Sequence, residues 1–266
     1  MKGLIEGKVA VITGAGSGVG QAAALLFTRH GARVVVADID AARADETVAM
    51  IHVEGGEACA ARCNVADEID VERLITLAVV TYGRLDILYN NAGITVMGSP
   101  GKGPKPLVET TAEEITAVQA VNVNGVLYGC KAAIAVFAQQ GGGGAIINTA
   151  SVAGLIGYGG VAYGATKGAV VGLTRTLAME VAAQGIRINS VCPAGMPTRY
   201  GGMDSTGPNA DRVRQSMGAA HPLGCAIDPM DCANAALFLV SDLAANITGV
   251  NLPVDGGLSA GVPLRR

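Results

Sequence analysis

In the stretch SVAGLIGYGGVAYGATKGAVVGL, residues 151–173, Tyr163 and Lys167 stand four positions apart among mostly small and aliphatic residues. Residues at i and i+4 share a helical face, so the phenol and the ammonium can meet. A free tyrosine titrates near pH ~10, too high for proton transfer at neutral pH; a nearby cation favours the phenolate and lowers that value. The pair has the makings of an acid–base centre. By spacing alone it is also no more than two polar residues on one face of a helix.

A second cluster, VITGAGSGVG, supplies Gly14, Gly16, Gly18 and Gly20, with Ser17 and Val19 between them. The common dinucleotide pattern G-x-G-x-x-G fails, because its third glycine position is Val19; what recurs is T-G-x-x-x-G-x-G, beginning at Thr13. Glycines at a strand-to-helix turn bring backbone N–H groups close to phosphate oxygens. Asp38 ends the next apolar run, RVVVAD, about where an acidic residue accepts hydrogen bonds from adenine-ribose hydroxyls. A carboxylate there repels a 2′-phosphate, and the following residue is Ile39 rather than a base, so NAD is expected over NADP.

These groups need a scaffold. Short apolar runs recur at KVAVIT (8–13), RVVVAD (33–38), EACAARC (57–63), LDILYN (85–90), AIINTA (145–150), IRINSVC (186–192) and NLPVD (251–255). The segments between them suit crossover helices rather than hairpins, which makes a mainly parallel seven-stranded sheet and a doubly wound α/β fold. RVVVAD is continuously apolar, as expected of a strand covered by helices on both faces. One domain over 1–266 is expected, with irregular stretches at 98–106 and at about 194–228, the latter read as a substrate lid.

Half the residues are hydrophobic, 15% are charged and the formal net charge is −3. That balance gives a sizeable core and no basic surface for nucleic acid or anionic lipid. Mean hydropathy is +0.41, yet the longest apolar candidate, 115–138, is interrupted by Gln119, Asn122, Asn124 and Lys131. No membrane partner is expected, and the N-terminus lacks a signal-like core, so the chain is read as cytoplasmic. Six cysteines show no C-x-x-C pair and no histidine at ligand spacing, so no metal site is expected; His30, His52 and His221 are read as surface or capping residues.

Taken in order, TGAGSGVG, NNAG (90–93), NTAS (148–151), YGATK (163–167) and VDGG (254–257) resemble the motifs of the short-chain dehydrogenase/reductase family. The resemblance spans essentially the whole chain. The extended branch of that family, with its sugar epimerases, fits less well because of the short chain and the glycine spacing. The resemblance implies a Rossmann fold and hydride transfer between C4 of a nicotinamide and a carbinol carbon of a small-molecule alcohol or ketone. It implies Tyr163 as acid/base, Lys167 as its electrostatic partner and holder of ribose hydroxyls, Ser151 as stabiliser of the substrate oxygen, and Asn122, in preference to Asn124, as a relay. It further implies cofactor contacts along the glycine turn and at Asp38 and Ile39, at Asn64 and Val65 beside adenine, at Asn90, Asn91, Ala92 and Gly93, and at Pro193, Gly195, Met196 and Thr198 around the carboxamide. A homotetramer is implied as well.

Three positions depart from the family pattern. Asn64 stands where aspartate is usual, Ala194 where glycine follows the proline, and Cys225 where arginine is common. Arg199 and Tyr200 open the lid and can face either substrate or solvent. The glycines at 141–144 read as a flexible connection, and Asp255 with its glycines as structural. Two other functions stay open. One is a non-catalytic NAD-binding sensor, which needs the glycines and Asp38 but not Tyr163 or Ser151. The other is a reductase of activated double bonds, disfavoured because family enoyl reductases space the tyrosine and lysine more widely. The stretches 94–106, 152–158 and 196–223, rich in Gly, Met, Val and Ile with few fixed charges, point to an apolar cyclic or aliphatic substrate.

Overall fold

The computed structural model describes residues 3–98, 103–198, 200 and 210–261. All seven apolar runs become strands of one parallel sheet: β1 Val9–Thr13, β2 Arg33–Asp38, β3 Glu57–Arg62, β4 Ile87–Asn90, β5 Gly144–Thr149, β6 Ile186–Pro193 and β7 Asn251–Val254. Their order is β3-β2-β1-β4-β5-β6-β7. The chain moves outward from β1 to β3 and then returns to the other side of β1 to begin β4. In an open parallel sheet, ligands bind at the carboxyl ends of the strands on either side of such a reversal, so the crevice falls between Gly14 and Asn91.

Alternate residues of each strand enter opposite layers, as the two-residue period of a strand requires. Ala10, Ile12, Val34, Val36, Ile87 and Tyr89 meet Phe27 of α1 (Gly18–Arg29), Ile51 of α2 (Ala41–Val53) and Leu237 of α8 (Pro229–Val240). Val9, Val11, Val35, Leu88 and Ile146 meet Leu74 of α3 (Glu68–Tyr82), Phe137 of α5 (Gly125–Gln140) and Val170 of α6 (Val161–Val181). Burial on both faces is why these strands are continuously apolar. The other α-helices among the described residues are α4 (Ala112–Gln119) and α7 (Ala210–Gly218).

The 112–140 stretch is long and apolar enough to cross a membrane. Its apolarity serves the core instead: Val126, Cys130, Ala133 and Phe137 are buried against the sheet. The glycine run at 141–144 differs from the flexible connection expected of it. Gly144 is already the first residue of β5, and a Cβ on Gly143 would come within 2.1 Å of the Gly185 carbonyl oxygen. Close backbone approach accounts for Gly143 and packing on Phe137 for Gly144, while Gly141 and Gly142, with open space around them, take positive φ of 68° and 84°.

Candidate active site

β1 ends at Thr13, and the chain turns through Gly14 (φ 62°) and Gly18 (φ 54°) into α1. Left-handed backbone of this kind is costly for residues bearing a Cβ. Gly20 is required by crowding instead: an added Cβ would lie 2.3 Å from the Gly14 carbonyl oxygen and 2.6 Å from Asn91 Nδ2. Ser17 caps α1 in extended conformation without a side-chain hydrogen bond, and no acidic residue lies in the first turn. The positive end of the helix dipole is thus available to an anion. Val19 packs on the core beneath.

Asp38, at the tip of β2, accepts from Gly16 N at 2.9 Å and from Asp40 N at 3.0 Å. Its carboxylate is therefore held against the glycine turn. Arg43, which sequence reasoning passed over, stands beside it: a Cβ on Gly16 would be 2.6 Å from Arg43 Cβ and 2.8 Å from Asp38 Oδ2. The guanidinium pairs with Asp40 at 3.2 Å. Ile39 is exposed on the rim.

Across the crevice, Thr13 joins the ends of β1 and β4. Its Oγ1 accepts from Asn91 N at 3.0 Å and Ala92 N at 3.1 Å, while Asn91 Nδ2 donates to the carbonyls of Thr13 and Gly14 at 3.0 and 3.2 Å. Asn90, grouped with these in the sequence, faces the core instead: Nδ2 donates to Asn148 Oδ1 at 3.0 Å, so its part is structural. Asn64 Oδ1 accepts from Ala66 N at 3.2 Å, and Val65 packs on Gly125, where an added Cβ would meet it at 3.0 Å.

The reactive groups gather at the ends of β5 and β6. Ser151 Oγ accepts from Ala153 N at 3.1 Å and donates to the Pro193 carbonyl at 3.3 Å, which fixes it between the two strands. Tyr163 lies in the first turn of α6, with Ser151 and Tyr200 as the polar neighbours of its phenol and its ring 6.3 Å from that of Tyr200. Lys167 is buried; Nζ donates to the Thr149 carbonyl at 2.7 Å and stands 5.6 Å from the Tyr163 ring centroid. Asn122 is fully buried in a π turn, Ala120–Asn124, between α4 and α5. Its Oδ1 accepts from Ile94 N at 2.8 Å, and Nδ2 donates to Ile94 O at 2.9 Å and Thr166 Oγ1 at 3.1 Å.

Burial pushes the Tyr163 hydroxyl above its ordinary value, against the opposing effect of its polar neighbours Tyr200 and Ser151. Burial disfavours the charged phenolate. Lys167 itself is pulled down to about 8 by burial.

After β6, Ala194 N donates to Val254 O at 3.2 Å. The turn therefore forms without the usual glycine. Met196 packs beside Val152 and Ile227, and a Cβ on Gly195 would sit 3.2 Å from the hydroxyl of Tyr158, a second phenol of the 151–173 stretch that sequence reasoning did not single out. Thr198 is buried, with Cγ2 4.0 Å from where a Cβ on Gly18 would be. Tyr200 N donates to Thr198 Oγ1 at 3.3 Å, and its ring lies 6.3 Å from that of Tyr163. Tyr200 thus belongs to the site, while Arg199 lies outside the described residues. His221 is corrected too: it is buried, with Nδ1 3.0 Å from the Cys225 carbonyl. Asp255 accepts from Gly257 N and Ser259 N at 2.9 and 2.8 Å and is structural.

Residues 14–259 match a family model described as "Enoyl-(Acyl carrier protein) reductase". Meso-2,3-butanediol dehydrogenase of Serratia marcescens is 39% identical over 256 residues, 96% of each chain. A 2,5-dichloro-2,5-cyclohexadiene-1,4-diol dehydrogenase of Sphingobium indicum is 39% identical over 98% of this chain and 100% of its own. The crystal structure of a 3-ketoacyl-(acyl-carrier-protein) reductase from Brucella melitensis, complexed with NADH, superposes with a TM-score of 0.85 at 36% identity over 96% of this chain and 99% of that one. With a family match over most of its length, and with Ser151, Tyr163 and Lys167 gathered beside the glycine turn, the chain belongs to the short-chain dehydrogenase/reductase family of oxidoreductases.

Proposed function

We propose that the protein is an NAD-dependent oxidoreductase interconverting a secondary alcohol and a ketone on an apolar cyclic or aliphatic substrate. The observation that carries the reading is the meeting of Ser151, Tyr163 and Lys167 at the carboxyl edge of β5 and β6, next to a turn crowded enough to demand glycine. A cradle that a Cβ would fill suits a pyrophosphate held by Gly14, Gly16, Ser17, Gly18, Val19 and Gly20. Asp38 suits the ribose hydroxyls of NAD. Arg43 does not reverse that preference, because Asp40 already pairs with it.

The bound dinucleotide would supply a two-electron acceptor and, when oxidised, a second positive charge. Ser151 Oγ would hold the substrate oxygen and donate to the charge developing there. Tyr163 would take the hydroxyl proton during oxidation and return it during reduction. Lys167, anchored on the Thr149 carbonyl, would favour the phenolate and hold ribose hydroxyls, with Asn122 relaying the proton onward. The segment Pro193, Gly195, Met196 and Thr198 would receive the carboxamide. An apolar substrate is supported by Ile94, Met97, Ile156 and Tyr158, all partly exposed in the stretches that flank the site. Residues 151–160 carry no charge. A homotetramer is supported by Leu127, Val161 and Met179, left exposed on α5 and α6.

The test is a panel of secondary alcohols and ketones with the purified protein, NAD and NADP, read by NADH absorbance. Tyr163→Phe should lower turnover by about 10²–10⁴-fold while retaining NADH binding. Tight NADH binding with no turnover across the panel would replace the enzyme by a sensor. Reduction of activated double bonds without reduction of ketones would favour the reaction named in the family model's description.

A further inference from the structure

Asn64 stands where the family pattern has aspartate, and its hydrogen bonds decide what that exchange does. Asp38 pairs with Arg62 at the end of β3, and Cys63 N donates to the Asp38 carbonyl at 2.9 Å. Asn64 and Val65 therefore follow beside the residue assigned to the adenine ribose. Val65 lines one small cavity with Thr13, Ala92 and Gly125, so this pair forms the wall between the ribose site and the NNAG turn, where a base carried by that ribose would lie. Asn64 is pinned at three atoms. Its N–H donates to Asp70 Oδ2 at 3.3 Å, its main-chain carbonyl accepts from Asp67 N at 3.0 Å, and its side-chain Oδ1 accepts from Ala66 N at 3.2 Å.

The last of these contacts fixes which way the amide faces. A backbone N–H can only donate, so the atom turned to Ala66 is the oxygen and the atom left facing away is Nδ2. Asn64 is half-buried, and Nδ2 meets no protein acceptor among the described residues. An aspartate held by the same turn would present its second oxygen there. Asparagine thus replaces an acceptor by a donor while the backbone stays where it is.

We propose that Asn64 is a specificity-determining residue for the base of the dinucleotide: its Nδ2 donates towards the 6-position of the purine and favours a 6-oxo purine, hypoxanthine, over adenine. The inference rests on the cofactor reading given above and deepens it at the base alone. Adenine carries an amino group at C6, so two donors face each other and neither is satisfied; hypoxanthine carries a carbonyl there, which accepts. The preference is a difference between two affinities, set by one atom of the side chain.

The experiment is calorimetric titration of NADH and of reduced nicotinamide hypoxanthine dinucleotide into wild type, Asn64→Ala and Asn64→Asp. Taking the ratio of the two affinities within each protein cancels any general damage done by the substitution. Wild type should bind the hypoxanthine form at least as tightly as NADH. Asn64→Ala, which removes the donor, should move the ratio towards NADH by roughly 2- to 12-fold, and Asn64→Asp, which restores a charged acceptor, should move it by at least as much. A wild-type preference for NADH overturns the proposal. So does a ratio that stays put in Asn64→Ala or moves towards the hypoxanthine form, which would mean that Oδ1 accepts from the adenine amino group. A wild type that binds neither dinucleotide, nor NADPH, removes the cofactor reading itself, and this inference with it.

Discussion

Replacing Lys167 by methionine should remove a pH-dependent penalty that the fold carries for its chemistry. Burial lowers the proton affinity of Lys167 from an ordinary 10.5 to about 8. A tenfold change in proton affinity is worth about 1.4 kcal/mol, so keeping the ammonium inside costs about 3 kcal/mol. The sign follows from comparing proton uptake by the two states. Below pH 8 both folded and unfolded chains carry the proton, and the full cost is present. Between 8 and 10.5 the folded chain releases it first, the unfolded chain holds more protons, and stability rises with pH. Above 10.5 the cost is gone. Lys167→Met has no such titration, although it leaves the Thr149 carbonyl without its donor. That loss is a pH-independent offset of about 1–3 kcal/mol. The slope, not the offset, carries the test. Urea unfolding of both proteins at one protein concentration, from pH 7 to pH 9.5, should show wild type gaining about 2 kcal/mol relative to the variant. Parallel pH profiles would refute the claim that Lys167 is held in the fold as a strained ammonium.

Asp38→Ser should shift cofactor preference. Removing the carboxylate beside Gly16 relieves repulsion of a 2′-phosphate, and the nearby Arg43 becomes a favourable neighbour. The NADP/NAD ratio of kcat/KM should rise by about tenfold or more, read by steady-state kinetics; an unchanged ratio would remove Asp38 from the ribose site. Gly20→Ala should lower the melting temperature and abolish NADH binding together, because its Cβ would be driven to 2.3 Å from the Gly14 carbonyl. Overpacking of this kind costs about 1–3 kcal/mol. Calorimetry that finds both unchanged would mean that the glycine turn is looser than its geometry.

The strands were legible because a parallel sheet buried on both faces leaves an unbroken apolar run. RVVVAD begins and ends where β2 does. The glycine turn and the Tyr163–Lys167 pair were legible for a related reason: each depends on local spacing that the chain itself carries. What escaped depends on residues distant in sequence. Arg43 lies on α2, and only the folding of α2 back along β2 brings it to Gly16. Asn90 reads as a turn residue beside Asn91, yet strand alternation sends one side chain to the core and the other to the crevice. Tyr200 comes beside Tyr163 only once the end of β6 and α6 are packed together. The burial that raises the proton affinity of Tyr163 cannot be counted from spacing, as a neighbouring lysine can.

The π turn at 120–124 joins these two kinds of information. Helix spacing alone would carry α4 straight into α5, and the polar residues Asn122 and Asn124 would merely interrupt an apolar run. The wider turn sets Asn122 inward, where one amide meets the backbone of Ile94, just past the NNAG turn, and the Thr166 hydroxyl on α6. Thr166 in turn donates to the Tyr163 carbonyl at 2.7 Å. The turn that faces the cofactor crevice and the helix that carries the acid–base pair are therefore braced against each other by a single buried side chain. Its amide both donates and accepts, which neither aspartate nor leucine of similar size can do. A buried polar bridge of this kind forms fully or fails as a unit. Departure from regular helix at Asn122 is accordingly part of how Gly93, Tyr163 and Lys167 are held at one distance.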